Sequence, residues 1–521
     1  MIKNWIKSFL LIPVLYGCAV AQDPLQIKYA DLLTEESAKT HLTILASPAF
    51  EGRGTGQEGG KKAAHYIASH FESLGLQPTV NNAFFQPLKL IRNSYIVKEF
   101  SINDNKYKNG TDFYVQGDNQ NTVFDAQEII FIGYGIQDEK YNDISNIDIE
   151  NKIVLLINEG EPVDTNGNSI ITGTQKPSEW ATSRFKRIQE LEKKNPKLIL
   201  ATASNVASMI SRFGDRITAG RFELDKSPNQ SQSVSLNAPV VHISEAIADK
   251  ILSKNNTSIN EQKKAAKTFV IKLPVLAEMG VIKEKFSDPN VLGFLPGTDL
   301  KEEIVIISGH YDHDGILSDG TIFPGADDNG SGTTAVLELA KAFSQAKKDG
   351  NGPRRSILFI GFAAEEKGLL GSQFYSENPI FPLKNTVTCL NLDMIGRIDD
   401  KHLEGNHNYI HLIGSDKLSS ELYKINRKAN DVYTKMELDY MYDDPKDPMR
   451  IYYRSDQYNF AKHGIPVTFY FSGLHPHYHT PEDTVDKIDF PMMVKREKLV
   501  FHAAWEIANR DQRLIVDSNK E

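Results

Sequence analysis

Four apolar runs in this chain each end in a residue able to bind a metal ion or move a proton. Glu303 to Gly309 leads into His310-Tyr311-Asp312, Ser356 to Ala364 into Glu365-Glu366, and Val387 to Leu392 into Asp393. Pro466 to Phe471 leads into a loop carrying His475, His477 and His479. A Gly-rich turn from Gly325 to Gly332 adds Asp327 and Asp328. Singly, each residue has a bland explanation: a lone His is usually a satisfied polar group, an Asp after a strand usually caps a helix, and paired Glu usually begins a solvated one. Together they would crowd several carboxylates into one cleft, which like-charge repulsion opposes unless a cation neutralises them. Two His with several carboxylates and no Cys suit a hard to borderline divalent ion, zinc foremost. Five candidate ligands, one of them a carboxylate able to bridge, suggest two ions about 3.5–4 Å apart that clamp a water and polarise a carbonyl. A spare Glu beside a ligating Glu would be the general base.

Such convergence needs strands whose carboxyl ends share an edge, the place where ligands bind in open α/β sheets. Asn290 to Leu295, Glu303 to Gly309, Ser356 to Ala364, Val387 to Leu392 and Pro466 to Phe471 read as apolar strands, and Ser331 to Ala346 reads as an amphipathic helix. The pattern predicts an α/β fold with a mostly parallel, mixed sheet and helices on both faces. Upstream, Ala64, Ile67, Phe71 and Leu74 mark one face of a helix over Lys61 to Leu74 that stops at Gly75. From about Gln116 the chain changes to short β-like runs at Glu128 to Ile136, Lys152 to Glu159, Lys197 to Ser204 and Ala238 to Ser244. The expected organisation is a signal peptide over 1–21, a first catalytic part over 22–115, a β-rich insertion over 116–275 and a second catalytic part over 276–521. Gly350 to Arg355 and Met441 to Met449 read as exposed loops.

Composition narrows the function classes. The 521 residues hold 59 Lys and Arg against 68 Asp and Glu, a net charge of −9, with no basic stripe, so nucleic acid is not an expected partner. Lys3 and Lys7 precede an apolar stretch from Ser8 to Gly17 that is too short to span a bilayer, which reads as a secretory signal. Two exits compete. Leu15-Tyr16-Gly17-Cys18 resembles a lipobox that would lipidate Cys18 and anchor the protein to a membrane, whereas Ala19-Val20-Ala21 fits ordinary cleavage. Either route places the chain outside the cytoplasm, in a periplasmic, extracellular or membrane-anchored form. Either also leaves Cys389 without a thiol partner, so stability must come from packing.

Taken in order, His310-Tyr311-Asp312, Gly325 to Gly332, Glu365-Glu366, Asn391 to Arg397 and Tyr478 to Thr484 resemble the co-catalytic dizinc exopeptidases, a family that includes bacterial leucyl-type aminopeptidases and glutamate carboxypeptidase. The resemblance implies two Zn2+ per chain: His310 and Asp393 on one, Glu366 and His479 on the other, and Asp328 bridging them. Asp328 is chosen over Asp327 because the family's bridging carboxylate lies three residues before the position matched by Ser331. The resemblance further gives Glu365 the role of base, Asp312 that of orienting the metal-binding His, and Tyr478 an approach to the substrate carbonyl. His475 and His477 have no counterpart and are read as loop residues. Asp456, in a segment expected to line the pocket, is a candidate substrate contact. The 116–275 insertion resembles a protease-associated domain.

The expected function is a secreted zinc-dependent exopeptidase, an aminopeptidase that hydrolyses N-terminal residues from peptides by a two-metal-activated water with Glu365 as base. A carboxypeptidase on the same scaffold would need an Arg cluster for the terminal carboxylate, for which Arg397, Arg450 and Arg454 are candidates. A one-zinc cyclase-like transferase and a non-catalytic receptor-like binding protein are rival readings. The filled ligand and base positions argue against the binding protein, and the insertion argues against the cyclase.

Overall fold

The computed structural model describes residues 22–116, 122–218, 220–225 and 238–518; the expected signal segment, with Cys18, lies outside them. The chain divides into two compact units. The first comprises the described residues up to Pro87, Pro289–Ile316 and Ile322 onward, and the second comprises Leu88–Asp288 with Leu317–Thr321.

In the first unit the elements used below are α1 (Glu35–Leu45), α2 (Glu58–Ser73), the last residues of β1 (Thr268–Leu295), β2 (Leu300–His310), α3 (Gly332–Lys348), β3 (Arg355–Phe362), α4 (Leu370–Glu377), β4 (Thr386–Leu392), β5 (Tyr409–Ile413), α5 (Ser420–Ala429), β6 (Glu437–Asp439), β7 (Val467–Phe471) and α6 (Phe490–Asn509). Their sheet runs β6-β5-β7-β4-β2-β3-β1. The central four, β7, β4, β2 and β3, are mutually parallel, while β5 and β1 pair antiparallel with β7 and β3. This is the mixed α/β sheet expected from the alternation of apolar strands and amphipathic helices.

The strands are buried on both faces, as a covered parallel sheet requires. Val305, Ile307, Ile357, Phe359, Leu390 and Leu392 join α1, α2, α3 and α6 in one core, and the alternate residues Ile304, Ile306, Leu358, Ile360 and Cys389 join Tyr375 of α4 and Phe460 in another. Helix ends are set by local chemistry. Thr34 caps α1 by accepting from the Ser37 amide, and Asp489 caps α6 by accepting from Met492, where a Pro in the first turn needs no amide partner. Gly350 to Arg355 is only in part the loop that was expected: Arg355 starts β3, fully buried, with its guanidinium on Glu303 and the carbonyls of Ile507 and Arg510.

The second unit is β-rich, with its own apolar cores around Phe100, Phe131, Leu155, Val241 and Ile271 on one side and Ile132, Leu156 and Ile199 on the other. Ile153–Ile157, Leu198–Thr202 and Val240–Ile243 form a parallel set, and Thr122–Ile132 runs antiparallel to residues of Thr268–Met279. Its span is wider than 116–275. Leu90–Asn93 pairs with Arg221–Leu224, so strand partners at both ends belong to it although composition changes only later. Among the described residues, no helix is long and apolar enough to cross a membrane.

Candidate metal centre

Because β3, β2, β4 and β7 are parallel, the residues following them emerge at one sheet edge. His310 ends β2, Glu365-Glu366 lie just past β3, Asp393 follows β4, and β7 opens the loop to His479. The strands are tied beneath this edge by Ser308, whose hydroxyl donates to Asn391 Oδ1 at 2.8 Å. Sharp backbone turns aim the groups: Ala364 (φ 54°), Met394 (φ 53°) and His479 (φ 55°) hold the left-handed conformation that non-glycine residues seldom adopt. The acidic turn reaches the same edge by close packing, since a Cβ on Gly332 would lie 2.2 Å from the Leu392 carbonyl oxygen.

Asp328 stands between two nests of donors. Its Oδ1 is 3.5 Å from His310 Nε2, which is itself 3.5 Å from Asp393 Oδ1. Its Oδ2 is 3.0 Å from His479 Nε2, which is 3.3 Å from Glu366 Oε2. Glu365 Oε2 reaches to 3.8 Å of His310 Nε2, so that His310, Glu365 and Asp393 also offer convergent ligand atoms. Four carboxylates and two imidazoles packed this tightly fit cations better than they fit one another. The five ligand positions expected from the sequence, and the spare Glu365, are thus brought together.

A surrounding set of buried groups holds the donors in place. His313 Nδ1 lies 2.8 Å from Glu366 Oε1, and Asp314 Oδ2 lies 2.9 Å from His479 Nδ1. That carboxylate-to-imidazole arrangement fixes ring orientation and tautomer. Ser455 donates to Asp393 Oδ2 at 2.6 Å. Asp483 accepts from the amides of Asp327 and Asp328, and Arg53, fully buried, donates to the carbonyls of Leu45, Tyr311, Pro324 and Gly325. Sequence reasoning missed these residues. His313 and Asp314 directly follow His310-Tyr311-Asp312, and Asp483 lies inside the Tyr478 to Thr484 motif, so adjacency was an available signal; Arg53, between two glycines, carried none.

The structure refines the reading of three residues. Asp312 meets His310 mainly through its backbone: His310 Nδ1 is 3.0 Å from the Asp312 backbone oxygen and 3.8 Å from its carboxylate Oδ1, and that carboxylate also accepts from the Glu365 amide and the Thr55 hydroxyl. It therefore holds the backbone of Glu365 in place. Asp456 is no substrate contact, because it is fully buried behind the site, where burial raises its carboxyl to about 7. His475 lies in the loop after β7, as expected, but is buried there: its ring places Nε2 3.4 Å from Asp327 Oδ2, while Asp327 Oδ1 accepts from the Gly396 amide. Asp327 is thus turned toward Gly396 and His475, whereas Asp328 is turned toward His310 and His479. The three arginines do not cluster. Arg397 lies against His477 and Asp483, Arg450 stacks over Tyr453, and Arg454 donates to the Tyr478 hydroxyl at 3.2 Å.

Burial, reinforced by Glu366 and Asp393 and only partly offset by His310, holds the Glu365 carboxyl well above the ordinary glutamate value. Burial acts the same way on Glu366, but His479 and His313 outweigh it and keep Glu366 an anion. Two adjacent carboxyls are thus pushed in opposite directions by their surroundings. Burial lowers His313 to about 3, so it meets Glu366 as a neutral ring. Beside His310, Asp328, Glu365 and Asp393 the cleft continues into an apolar wall of Met394, Ile451, Phe469, Phe471, Leu474 and Tyr478.

Residues 290–504, which carry this centre, match peptidase family M28. Over 234 residues the chain is 32% identical to a probable leucine aminopeptidase of Arthroderma otae (strain ATCC MYA-4605 / CBS 113480), covering 44% of this chain and 60% of that protein. Over 227 residues it is 30% identical to aminopeptidase YwaD of Bacillus subtilis (strain 168), covering 43% of this chain and 46% of that protein. The chain therefore spans less than two thirds of the length of these relatives. In fold it is similar to an aminopeptidase from Aneurinibacillus sp. strain AM-1, with a TM-score of 0.60, 18% identity and coverage of 95% of this chain and 98% of that one. It is also similar to a zinc aminopeptidase from Bacillus subtilis, with a TM-score of 0.54, 18% identity and coverage of 94% and 99%. The similarity to peptidase family M28 thus spans residues 290–504, the part of the chain that holds the candidate centre.

Proposed function

We propose that this protein is an exported, zinc-dependent aminopeptidase that removes N-terminal residues from peptides. The observation that carries the reading is Asp328 set between His310 and His479, with Asp393 and Glu366 completing two nests of hard and borderline donors. That donor set fits two divalent ions, with His310, Asp328 and Asp393 holding one and Asp328, Glu366 and His479 the other. Such an ion pair, when bound, makes a nucleophile of water at neutral pH and polarises a scissile carbonyl.

The chain's own residues do the rest. Glu365 takes the proton of the attacking water on Oε2 and returns it to the leaving amine, a task suited to a carboxyl held above its ordinary pKa. Asp312 fixes the Glu365 backbone for that transfer through the Glu365 amide. The apolar wall receives the side chain of the residue being removed, so Leu, Met or Phe is the preferred first residue. Tyr478, on the same wall with its hydroxyl held by Arg454, stands next to the position of the scissile carbonyl. The acidic surroundings suit a free α-amino group better than a terminal carboxylate. The unit Leu88–Asp288 is read as a protease-associated insertion, and the segment Lys3 to Gly17 as the export signal.

The test is hydrolysis of aminoacyl p-nitroanilides against N-blocked and C-terminal glutamyl peptides, with and without chelator, alongside metal analysis. Chelator-sensitive release from free-amine substrates with apolar first residues, and about two zincs at the peptidase centre, is the expected result. Cleavage of the C-terminal substrates alone would make the protein a carboxypeptidase, and inactivity of the metal-loaded chain on every substrate would make it a binding protein.

A further inference from the structure

A second convergence of metal-ligating side chains lies outside the peptidase centre and shares no residue with it. Asp399, from the segment after β4, places Oδ1 2.7 Å from His402 Nδ1 and Oδ2 2.7 Å from His411 Nε2. His411 comes from β5, so strand and loop meet at one carboxylate. One ligand atom from each of the three residues lies within 4.8 Å of the others. The remaining nitrogens of both rings turn toward a single carboxylate oxygen on β6: Asp439 Oδ2 is 3.4 Å from His411 Nδ1 and 3.9 Å from His402 Nε2. Asp399 and His411 are fully buried, and the His402 ring is clamped by stacking on Tyr409 at 3.5 Å.

We propose that Asp399, His402 and His411 form a separate structural site for one divalent cation of the zinc class, with the Asp439 carboxylate beside His411. Two imidazoles and one carboxylate facing a common point are the ligand types zinc takes. A second carboxylate, Asp439, stands 3.4 Å from His411 Nδ1, the place of an outer partner for that ring. The site is placed to fasten the peptidase centre. The Tyr409 hydroxyl accepts from the Asp399 amide and donates to the Ser472 carbonyl, and Asp399 packs so closely under Gly473 (φ 96°) that a Cβ there would lie 2.3 Å from Oδ2. Ser472 and Gly473 open the loop that carries His475 and His479. A cation on Asp399 would therefore cross-link β5 and the segment after β4 at the root of that loop.

The competing occupant is a proton. Burial alone would lower the His411 imidazole, but its bonds to Asp399 and Asp439 carry it above the ordinary histidine value, so zinc must displace that proton and the experiment belongs at about pH 8. The full chain carrying Asp328→Asn and Glu366→Gln, which disarms the peptidase centre, is stripped of metal and titrated with zinc chloride by calorimetry, with bound metal measured by mass spectrometry. The expected result is one tight zinc per chain, weakened at least 100-fold by the further change His402→Ala. In parallel, the zinc-loaded wild-type chain should hold one more equivalent than its His402→Ala variant, a comparison that decides the matter even where the disarmed chain fails to fold. Equal zinc content with and without His402 overturns the proposal and makes the cluster an ion-pair network charged by a proton. The readout is metal stoichiometry at residues outside the peptidase centre, so it stands or falls separately from the proposed activity.

Discussion

Glu365 and Glu366 show how two adjacent, identical residues acquire different chemistry. Glu366 sits against His313 and His479, which keep it ionised, whereas Glu365 shares its surroundings with Asp393, Glu366 and only one imidazole. A carboxyl that is costly to ionise is suited to carrying a proton. Glu365→Gln keeps shape and polarity but removes that capacity, and should lower kcat by roughly 10²- to 10⁴-fold with the metal content of the purified variant unchanged. Because Glu365 also lies within ligand range of His310 and Asp393, metal analysis is the deciding measurement: loss of an ion would make Glu365 a ligand and not the base.

At the scale of elements, the site depends on a turn held from below. The segment from Gly325 to Ser331 carries Asp328 but forms no regular strand, and its carbonyls and those nearby are collected by Arg53 while its amides are collected by Asp483. Burial lowers Arg53 to about 10, so it remains a cation at neutral pH with four carbonyl partners. Arg53→Met fills similar volume yet strands those acceptors, each costing about 1–3 kcal/mol when buried and unpaired. The expected outcome is a loss of about 3 kcal/mol or more in urea denaturation and weaker zinc retention, since the bridging carboxylate would lose its fixed position. A variant that melts like wild type and retains zinc equally would show that the turn is held without Arg53.

Over the whole molecule, each unit carries its own apolar core. The fragment Leu88–Asp288 should therefore fold alone, giving a cooperative thermal transition and dispersed amide resonances; a non-cooperative melt would show that its strands need the rest of the chain. In the first unit, acid stability is set partly by His41 and His70, whose rings meet edge to face at 4.5 Å. Burial, with the Lys341 charge nearby, lowers His41 to about 3 and His70 to about 4. Folded values below the unfolded one near 6.5 mean that the stability tied to these neutral rings is complete above about pH 6.5 and is lost as pH falls toward 4. Denaturant melts at pH 7 and 4.5 should show His70→Gln losing less stability on acidification than wild type, by on the order of 2 kcal/mol.

The sequence alone determined the fold class and the candidate centre. Buried parallel strands must be continuously apolar, and a His, Asp or Glu at the end of each stands out against such runs, as His310, Glu365, Glu366 and Asp393 do. The choice of Asp328 over Asp327 came from a motif, and the structure turns Asp327 toward Gly396 and His475. What only the tertiary structure decided are contacts between residues far apart in the chain. Arg53 meets Gly325, Asp483 meets Asp328, and Asp399 meets His411 and lies beside Gly473; none of these pairings leaves a period or a spacing to read. Burial, too, belongs to the assembled fold. Asp456 read as a pocket contact and His475 as a plain loop residue because polar type predicts access to solvent or substrate, and only the packing of the strands and turns around them buries both.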